Sequence, residues 1–172
     1  MATRNILPEE THLGRIAIKP HLLRYIQWRE QFRQEDQPLI VPGLGPIAHV
    51  LGMMLVTDRE YLNAAPLTTV EGYTATLHYK VVQRHTLEQR YYLTDEGTRE
   101  FNRFLQQMLQ DDLFFRVREG QRKKQQEKDI IEAFLHDTGL DEWLEFDTQK
   151  KANFRLKQFR TGQQVQGYVF AF

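Results

Sequence analysis

The apolar residues of this chain change their spacing near residue 94, and that change limits the folds it can adopt. Residues 72–83 (GYTATLHYKVVQ) alternate apolar and polar side chains, which is typical of a half-buried strand. From Thr94 onward the apolar residues recur every third or fourth position, as in amphipathic helices. A strand-forming half followed by a helical half predicts an α+β fold.

Three further elements are predicted ahead of the alternating strand. Residues 15–19 (RIAIK) alternate like a short strand, and Pro20 suits the first turn of a helix that ends near Phe32. Residues 34–46 indicate a turn-rich connector, because three prolines and two glycines interrupt them. Residues 47–56 (IAHVLGMMLV) predict a buried helix.

The partner of the strand at 72–83 is predicted to follow it directly. Residues 88–93 are its expected hairpin partner, with RHTL as the turn. Together these elements predict a small antiparallel sheet packed with helices over residues 1–120. A helical unit at 121–162 and a strand at 163–172 are expected to follow.

Helix ends are marked in the C-terminal half. Thr94 is a candidate N-cap, and acidic residues occupy the next two positions, where the helix dipole favours them. The polar run 121–126 (QRKKQQ) indicates either a solvated helix surface or a hinge. Gly139 suits the left-handed conformation that ends many helices. A short helical turn at 141–146 and a helix over 148–160 are predicted after it.

Composition excludes several classes of protein. The 172 residues include no cysteine and no serine, so disulfide frameworks, cysteine-based zinc sites and cysteine or serine nucleophiles are ruled out. The six histidines are scattered without metal-binding spacing. We therefore predict a non-enzymatic protein without a metal or a cofactor. No secretory leader and no membrane span of about 20 apolar residues is recognisable, which predicts a cytoplasmic location without membrane contact.

The net charge of zero conceals an uneven distribution of charge. Twenty-three basic residues balance twenty-three acidic ones over the whole chain. Residues 148–172 contain five basic residues and no acidic residue, whereas residues 35–72 contain five acidic residues and one basic residue. Neutrality therefore results from cancellation between separate segments, and the basic C-terminal segment is a candidate phosphate-binding surface.

The order of elements in this region is that of a helix-turn-helix unit, in which a helix ends at a glycine and a basic helix follows. Asn153 is the candidate base-reading residue, because an asparagine on an exposed helical face can bond adenine N6 and N7 together. Phe154 is expected to contact a thymine methyl group or a sugar. The expected phosphate contacts are Lys150, Lys151, Lys157 and Arg160. The alternative is a solvated basic face opposite an acidic surface, within the chain or across a dimer.

A resemblance supports the DNA-associated interpretation. The stretch FLHDTGLDEWLEFDTQKKANFRLKQFR resembles the C-terminal block of small uncharacterised proteins encoded by bacterial mobile elements and phages. The preceding YYLTDEGTREFNRFLQQML is similar to a segment upstream of that block. The resemblance covers about residues 91–160 and implies a DNA-associated accessory role.

The C-terminal tail suggests a second class of function. Residues 163–172 place Tyr168, Phe170 and Phe172 on one face of a predicted strand, which can extend a sheet edge in this chain, beside residues 73–82, or in another chain. The first hypothesis is thus a non-enzymatic DNA-binding accessory protein. The second is an oligomer or a protein-interaction module, an assembly component or an inhibitor of a larger complex, that uses this tail and the acidic residues of 35–72.

Overall fold

The structure, a computed structural model, describes residues 10–32, 34, 37–41, 43, 45–58, 72–83 and 90–160. The elements within them are, in chain order, β1 (Glu10–Ile18), α1 (Pro20–Arg29), β2 (Leu39–Val41), α2 (Pro46–Met54), β3 (Val56–Asp58), β4 (Ala75–Gln83), β5 (Arg90–Tyr92), α3 (Asp95–Arg122), α4 (Glu127–Thr138) and α5 (Phe146–Arg160). The α+β prediction is confirmed.

The chain divides into two compact units, Met1–Leu105 and Gln106–Phe172. The five described strands belong to the first unit, together with α1, α2 and the beginning of α3. The second unit contains the remainder of α3, with α4 and α5. The division therefore falls inside α3, whereas the sequence pattern predicts a boundary after residue 120.

The sheet of the first unit has three described strands, with β4 in the middle. β1 pairs antiparallel with the whole of β4, and β2 pairs parallel with it at residues 79–81. The sheet is therefore mixed, and the prediction of a wholly antiparallel sheet is wrong. β2 consists of Leu39, Ile40 and Val41, an apolar run in the segment that the prolines and glycines mark as a connector.

The predicted hairpin between β4 and residues 88–93 is also wrong. β5 pairs antiparallel with β3 in a second, two-stranded sheet. The physical reason is that β1 and β2 already occupy both edges of β4 at residues 79–81. A side chain connects the two sheets instead, because the Tyr79 hydroxyl donates a 2.7 Å hydrogen bond to the carbonyl oxygen of Tyr91.

Tyr79 also explains why a glycine lies in β1. Gly14 is opposite Tyr79 in the register, and a Cβ atom added to Gly14 would lie 2.1 Å from Cζ of the Tyr79 ring. The ring therefore lies over the glycine backbone, as happens where an aromatic side chain covers a strand glycine. Burial raises the pKa of the Tyr79 hydroxyl to about 12, because the charged phenolate would lose its hydration.

A buried asparagine connects α3 to the junction of β1 and α1. The Asn102 side-chain amide donates to the carbonyl oxygens of Ala17, at 3.1 Å, and Thr98, at 2.9 Å. Its Oδ1 atom accepts a 3.0 Å hydrogen bond from the backbone N–H of Lys19. All three bonds are within the first unit, and the Asn102 side chain has no unpaired polar atom.

The helix ends confirm two predictions from the sequence. The Oγ1 atom of Thr94 accepts the backbone N–H of Gly97 at 3.1 Å, so Thr94 caps α3. Gly139 ends α4 with a φ of 63°, and the backbone N–H of Leu140 closes the end by donating to the Leu135 carbonyl oxygen at 2.8 Å. Among the described residues, no helix combines the length and the apolarity needed to cross a membrane.

Candidate nucleic-acid interface

The predicted interface lies on α5, where the spacing of Ala152, Leu156 and Phe159 predicts an apolar buried stripe that differs from the observed one. Gln149 and Asn153 are buried, and Ala152 and Leu156 are half-buried. These four positions follow the spacing of one helical face. The apolar residues alone had predicted Asn153 on the opposite, exposed face. That prediction is wrong, because two polar side chains complete the buried stripe.

Glu127, in the first turn of α4, is what allows a polar side chain of α5 to be buried. The Asn153 side-chain amide donates to Oε1 of Glu127 at 2.7 Å, and the Lys157 ammonium donates to Oε2 at 2.7 Å. The carboxylate also lies at a helix N-terminus, where the helix dipole favours negative charge. One carboxylate thus holds two side chains of α5 against α4.

The pKa of Glu127 reports the same contacts. Partial burial acts to raise this pKa, but the hydrogen bonds from Lys157 and Asn153, together with the charges of Lys157 and Lys150, lower it below its usual value. Glu127 is therefore ionised at neutral pH. The ionised carboxylate accepts a hydrogen bond from the buried Asn153 amide, and this bond explains why a polar side chain lies on the buried face of α5.

Two of the predicted DNA contacts are consequently engaged inside the second unit. Asn153 is 1% exposed, so the assignment of Asn153 as a base-reading residue is wrong. The Lys157 side chain is 30% exposed, and its charge is paired with Glu127. The Arg160 side chain lies outside the described part of the structure, so its predicted phosphate contact stays a prediction.

The remaining predicted contacts and Arg155 together form a single exposed surface, which we call the outer face of α5. It consists of Lys150, Lys151, Phe154 and Arg155, all of which are exposed. Their spacing places them on one side of the helix, away from the buried stripe. The Lys150 ammonium lies 5.9 Å from the centre of the Phe146 ring. Among the described residues, Lys150, Lys151 and Arg155 form no ion pair.

Arg155 was not among the predicted phosphate contacts, although the sequence contained a signal for it. A helical wheel drawn on the apolar residues places Arg155 beside the buried stripe. When Asn153 is counted as part of the buried stripe, the centre of the stripe shifts around the helix, and Arg155 then lies outside it. Arg155 is also one helical turn after Lys151, which aligns the two cations on the outer face of α5.

The turn between α3 and α4 forms a second basic region, but its cations are largely neutralised. A groove of about 500 Å³ is lined there by Arg116, Lys123 and Lys124 together with Glu119 and Asp129. The Lys123 ammonium lies 2.8 Å from a Glu119 carboxylate oxygen, and Arg116 pairs with Asp137. Because carboxylates share this groove with the cations, its charge does not distinguish it as an anion site.

Other predicted features are not covered by the described residues. The partner-binding residues Tyr168, Phe170 and Phe172 lie outside them, as do four of the five acidic residues of 35–72. The helix-turn-helix assignment stays a prediction. Residues 139–145 separate α4 from α5, a connection longer than the turn of about three or four residues in that motif.

In the part of the chain that the structure describes, no group of three or more histidine and acidic side chains is arranged to hold a metal ion. Comparison of the chain with protein-family models, with curated proteins and with solved structures finds no significant match.

Proposed function

We propose that this protein is a non-enzymatic accessory protein that binds nucleic acid through its phosphate backbone, using the outer face of α5. One observation carries the proposal: Lys150, Lys151 and Arg155 are exposed on one helical face without an ion pair among the described residues. Exposed cations that form no ion pair among the described residues are available to replace the counterions that surround nucleic acid, and the release of those counterions favours binding.

The acidic residues near α5 indicate which part of the helix approaches the phosphates. Asp141, Glu142, Glu145 and Asp147 are exposed at the N-terminal end of α5 and just before it. Phosphates are repelled from that end, although it carries the positive pole of the helix dipole. Binding is therefore confined to the outer face of α5 beyond Asp147.

The burial of Asn153 changes the expected specificity. Phosphate contacts position a protein on nucleic acid, whereas contacts to base edges read the sequence. Because Asn153 is held by Glu127, it is not available to adenine, and none of the exposed residues that define the outer face of α5 is an asparagine or a glutamine. We expect binding with little preference for base sequence, in the range of about 10⁻⁴ to 10⁻⁶ M at physiological salt.

A salt series with matched charge variants tests the proposal. The test variant carries Lys150→Glu, Lys151→Glu and Arg155→Glu. The control carries Arg118→Glu, Arg122→Glu and Lys128→Glu, three exposed cations of the same unit that lie on α3 and α4. Affinity for labelled oligonucleotides is measured by fluorescence anisotropy, and circular dichroism confirms that both variants are folded.

Three phosphate contacts predict that the logarithm of the wild-type affinity for duplex DNA falls against the logarithm of the salt concentration with a slope of about −3. The test variant should lose measurable binding, while the control keeps that slope. Equal loss in both variants, or affinity that does not depend on salt, would overturn the proposal.

A further inference from the structure

Three large aromatic side chains of the second unit are exposed to solvent. Phe154 on α5 is 56% exposed, Phe115 on α3 is 55% exposed and Trp143, between α4 and α5, is 54% exposed. Their similar exposure allows their surroundings to be compared directly. Aromatic rings on a protein surface are common binding elements for flat or apolar ligands, and neighbouring charges select among those ligands.

The charges around the three rings differ sharply. Within four residues on either side, Phe154 has four cations and no carboxylate, whereas Phe115 has two cations and three carboxylates. Trp143 has four carboxylates and no cation within the same distance along the chain. Phe154 is thus the exposed ring among the three whose neighbours all favour an anionic ligand.

Helix geometry places the cations around the Phe154 ring. Lys150 and Lys151 precede Phe154 by one helical turn, so their side chains lie on the same face, with Cβ atoms about 5–6 Å from that of Phe154. Arg155 is the next residue, about 100° further around the helix, and lies at the edge of the same outer face, one turn after Lys151. The fourth nearby cation, Lys157, is occupied by Glu127. The ring is therefore bordered by three cations that form no ion pair among the described residues.

From this arrangement we infer that the outer face of α5 binds single-stranded nucleic acid, with one unpaired base stacked on Phe154 and the adjoining phosphates held by Lys150, Lys151 and Arg155. This inference rests on the proposed function and specifies its ligand. Alternating bases and phosphates along a single strand match an aromatic ring between cations, which is the usual composition of single-strand binding surfaces.

Duplex DNA fits the same surface less well. The faces of paired bases are covered by their neighbours in the stack, so a duplex presents phosphates and base edges to an approaching helix. A phenyl ring reaches a base face in a duplex only by unstacking a base step, which costs a few kcal/mol in proteins that wedge side chains into DNA. Phe154 therefore adds to the binding of a single strand and adds little to the binding of a duplex.

The experiment compares Phe154→Leu with the matched control Phe115→Leu. Both substitutions replace an equally exposed ring on a helix of the same unit with an apolar side chain that does not stack on bases. Each variant is titrated into labelled oligothymidylate, which does not pair with itself, and into a mixed-sequence duplex of equal length. Phe154→Trp is included because indole preserves a stacking surface.

For the wild type, we expect tighter binding to oligothymidylate than to the duplex. Phe154→Leu should weaken the binding of oligothymidylate by about 5- to 150-fold, the range measured when a stacking ring is removed, and leave duplex affinity within about twofold. Phe154→Trp should retain the affinity, with quenching of its indole fluorescence on binding. Phe115→Leu should match the wild type on both probes.

The outcomes separate this inference from the proposed function. If Phe154→Leu binds oligothymidylate like the wild type while the charge variant of α5 binds neither probe, the base-stacking inference is wrong and the phosphate-binding proposal stands. If the wild type binds neither probe in a salt-dependent manner, both are wrong. Equal losses for Phe154→Leu and Phe115→Leu, or a loss of self-association in Phe154→Leu without nucleic-acid binding, would also overturn the inference.

Discussion

The two units of this protein each bury an asparagine on a helix, and they satisfy it in different ways. Asn102 is 2% exposed and bonds three backbone groups of the first unit, using both ends of its amide. Asn153 is 1% exposed and bonds one carboxylate of the second unit, while its Oδ1 atom has no partner among the described residues. Asn102 thus supplies hydrogen bonds to neutral backbone groups, whereas Asn153 depends on a hydrogen bond to the charged carboxylate of Glu127.

This difference teaches where each unit is sensitive to perturbation. The first unit depends on geometry that neutral groups maintain, namely backbone bonds around Asn102 and the close contact of Gly14 with Tyr79. The second unit depends on the ionised carboxylate of Glu127, which connects α4 to α5. The first unit should therefore respond most to changes of shape, and the second to changes of charge and pH.

Removal of the Asn102 amide should have the largest effect on stability. Asn102→Ala removes the side-chain partner of the carbonyl oxygen of Ala17, which is buried, and of the backbone N–H of Lys19, which is partly buried. Because unpaired buried polar groups cost about 1–3 kcal/mol each, we expect the free energy of unfolding to fall by about 2–4 kcal/mol. Urea unfolding followed by circular dichroism measures it. A loss no larger than that of Asn153→Ala would contradict the comparison.

A methyl group at Gly14 should have the next largest effect. Gly14→Ala places a carbon in the space of the Tyr79 ring, which is 1% exposed and cannot move aside without losing its bond to Tyr91. We expect a loss of about 1–3 kcal/mol in the free energy of unfolding, as for other overpacked sites.

Gly120→Ala is the matched substitution in the second unit. Its added carbon would lie 2.4 Å from Cδ1 and 2.7 Å from Cγ1 of Ile130. Rotation about χ2 moves Cδ1 away, and alanine is favoured over glycine inside a helix by about 1 kcal/mol, which offsets part of the clash. Thermal unfolding of both variants should therefore show a smaller loss for Gly120→Ala. A larger loss for Gly120→Ala would show that shape limits the second unit as strictly as the first.

Neutralisation of Glu127 should destabilise the second unit in a pH-dependent manner. The pKa of Glu127 is lowered in the folded protein, so its contribution to stability is present above the unfolded pKa of 4.5 and is lost as the pH falls through the folded value. Glu127→Gln should cost about 1–2 kcal/mol at neutral pH, since the carboxylate is partly solvated.

Urea unfolding at about pH 7 and about pH 3 checks this prediction. The difference in stability between the wild type and Glu127→Gln should be larger at the higher pH than at the lower one. Glu132→Gln is the control, because its contact with Lys128 is long, at 3.7 Å, and exposed. The same pH dependence in both variants would show that Glu127 has no special role.

Substitution of Asn153 should have the smallest effect. Asn153→Ala removes one hydrogen bond, but Glu127 keeps its ion pair with Lys157 and the partnerless Oδ1 atom is removed as well. We expect a loss of about 1 kcal/mol or less in the free energy of unfolding. Nucleic-acid affinity should be unchanged, which anisotropy titration measures; a tenfold weakening would restore Asn153 as a contact residue.

Much of the fold could be predicted from local patterns in the sequence. The alternation in residues 72–83 indicates β4, and the helical spacing after Thr94 indicates α3 and its N-cap. Gly139 marks the end of α4 because few other residues accept its left-handed conformation. Of the candidate site, the basic character of α5 was predictable, since it depends on composition alone.

The partners of these elements could not be predicted in the same way. β5 was assigned to β4 because the two are close in sequence, yet β4 pairs with β1 and with β2, strands that lie more than thirty residues away along the chain. Asn153 was assigned to the exposed face because the apolar residues of α5 alone defined the buried face, yet its partner Glu127 is 26 residues away. Both errors come from judging a residue by its near neighbours.

The sequence by itself determined the helices and the longer strands, where several helices end, and that α5 carries positive charge, but it indicated neither β2 nor β3. Local backbone preferences and side-chain periodicity suffice for these features, because they involve residues within one or two turns of each other. The tertiary structure alone decided which strands pair and which face of α5 is buried. A polar side chain can be buried when a distant group satisfies its hydrogen bonds, and that group comes near it only when the chain folds.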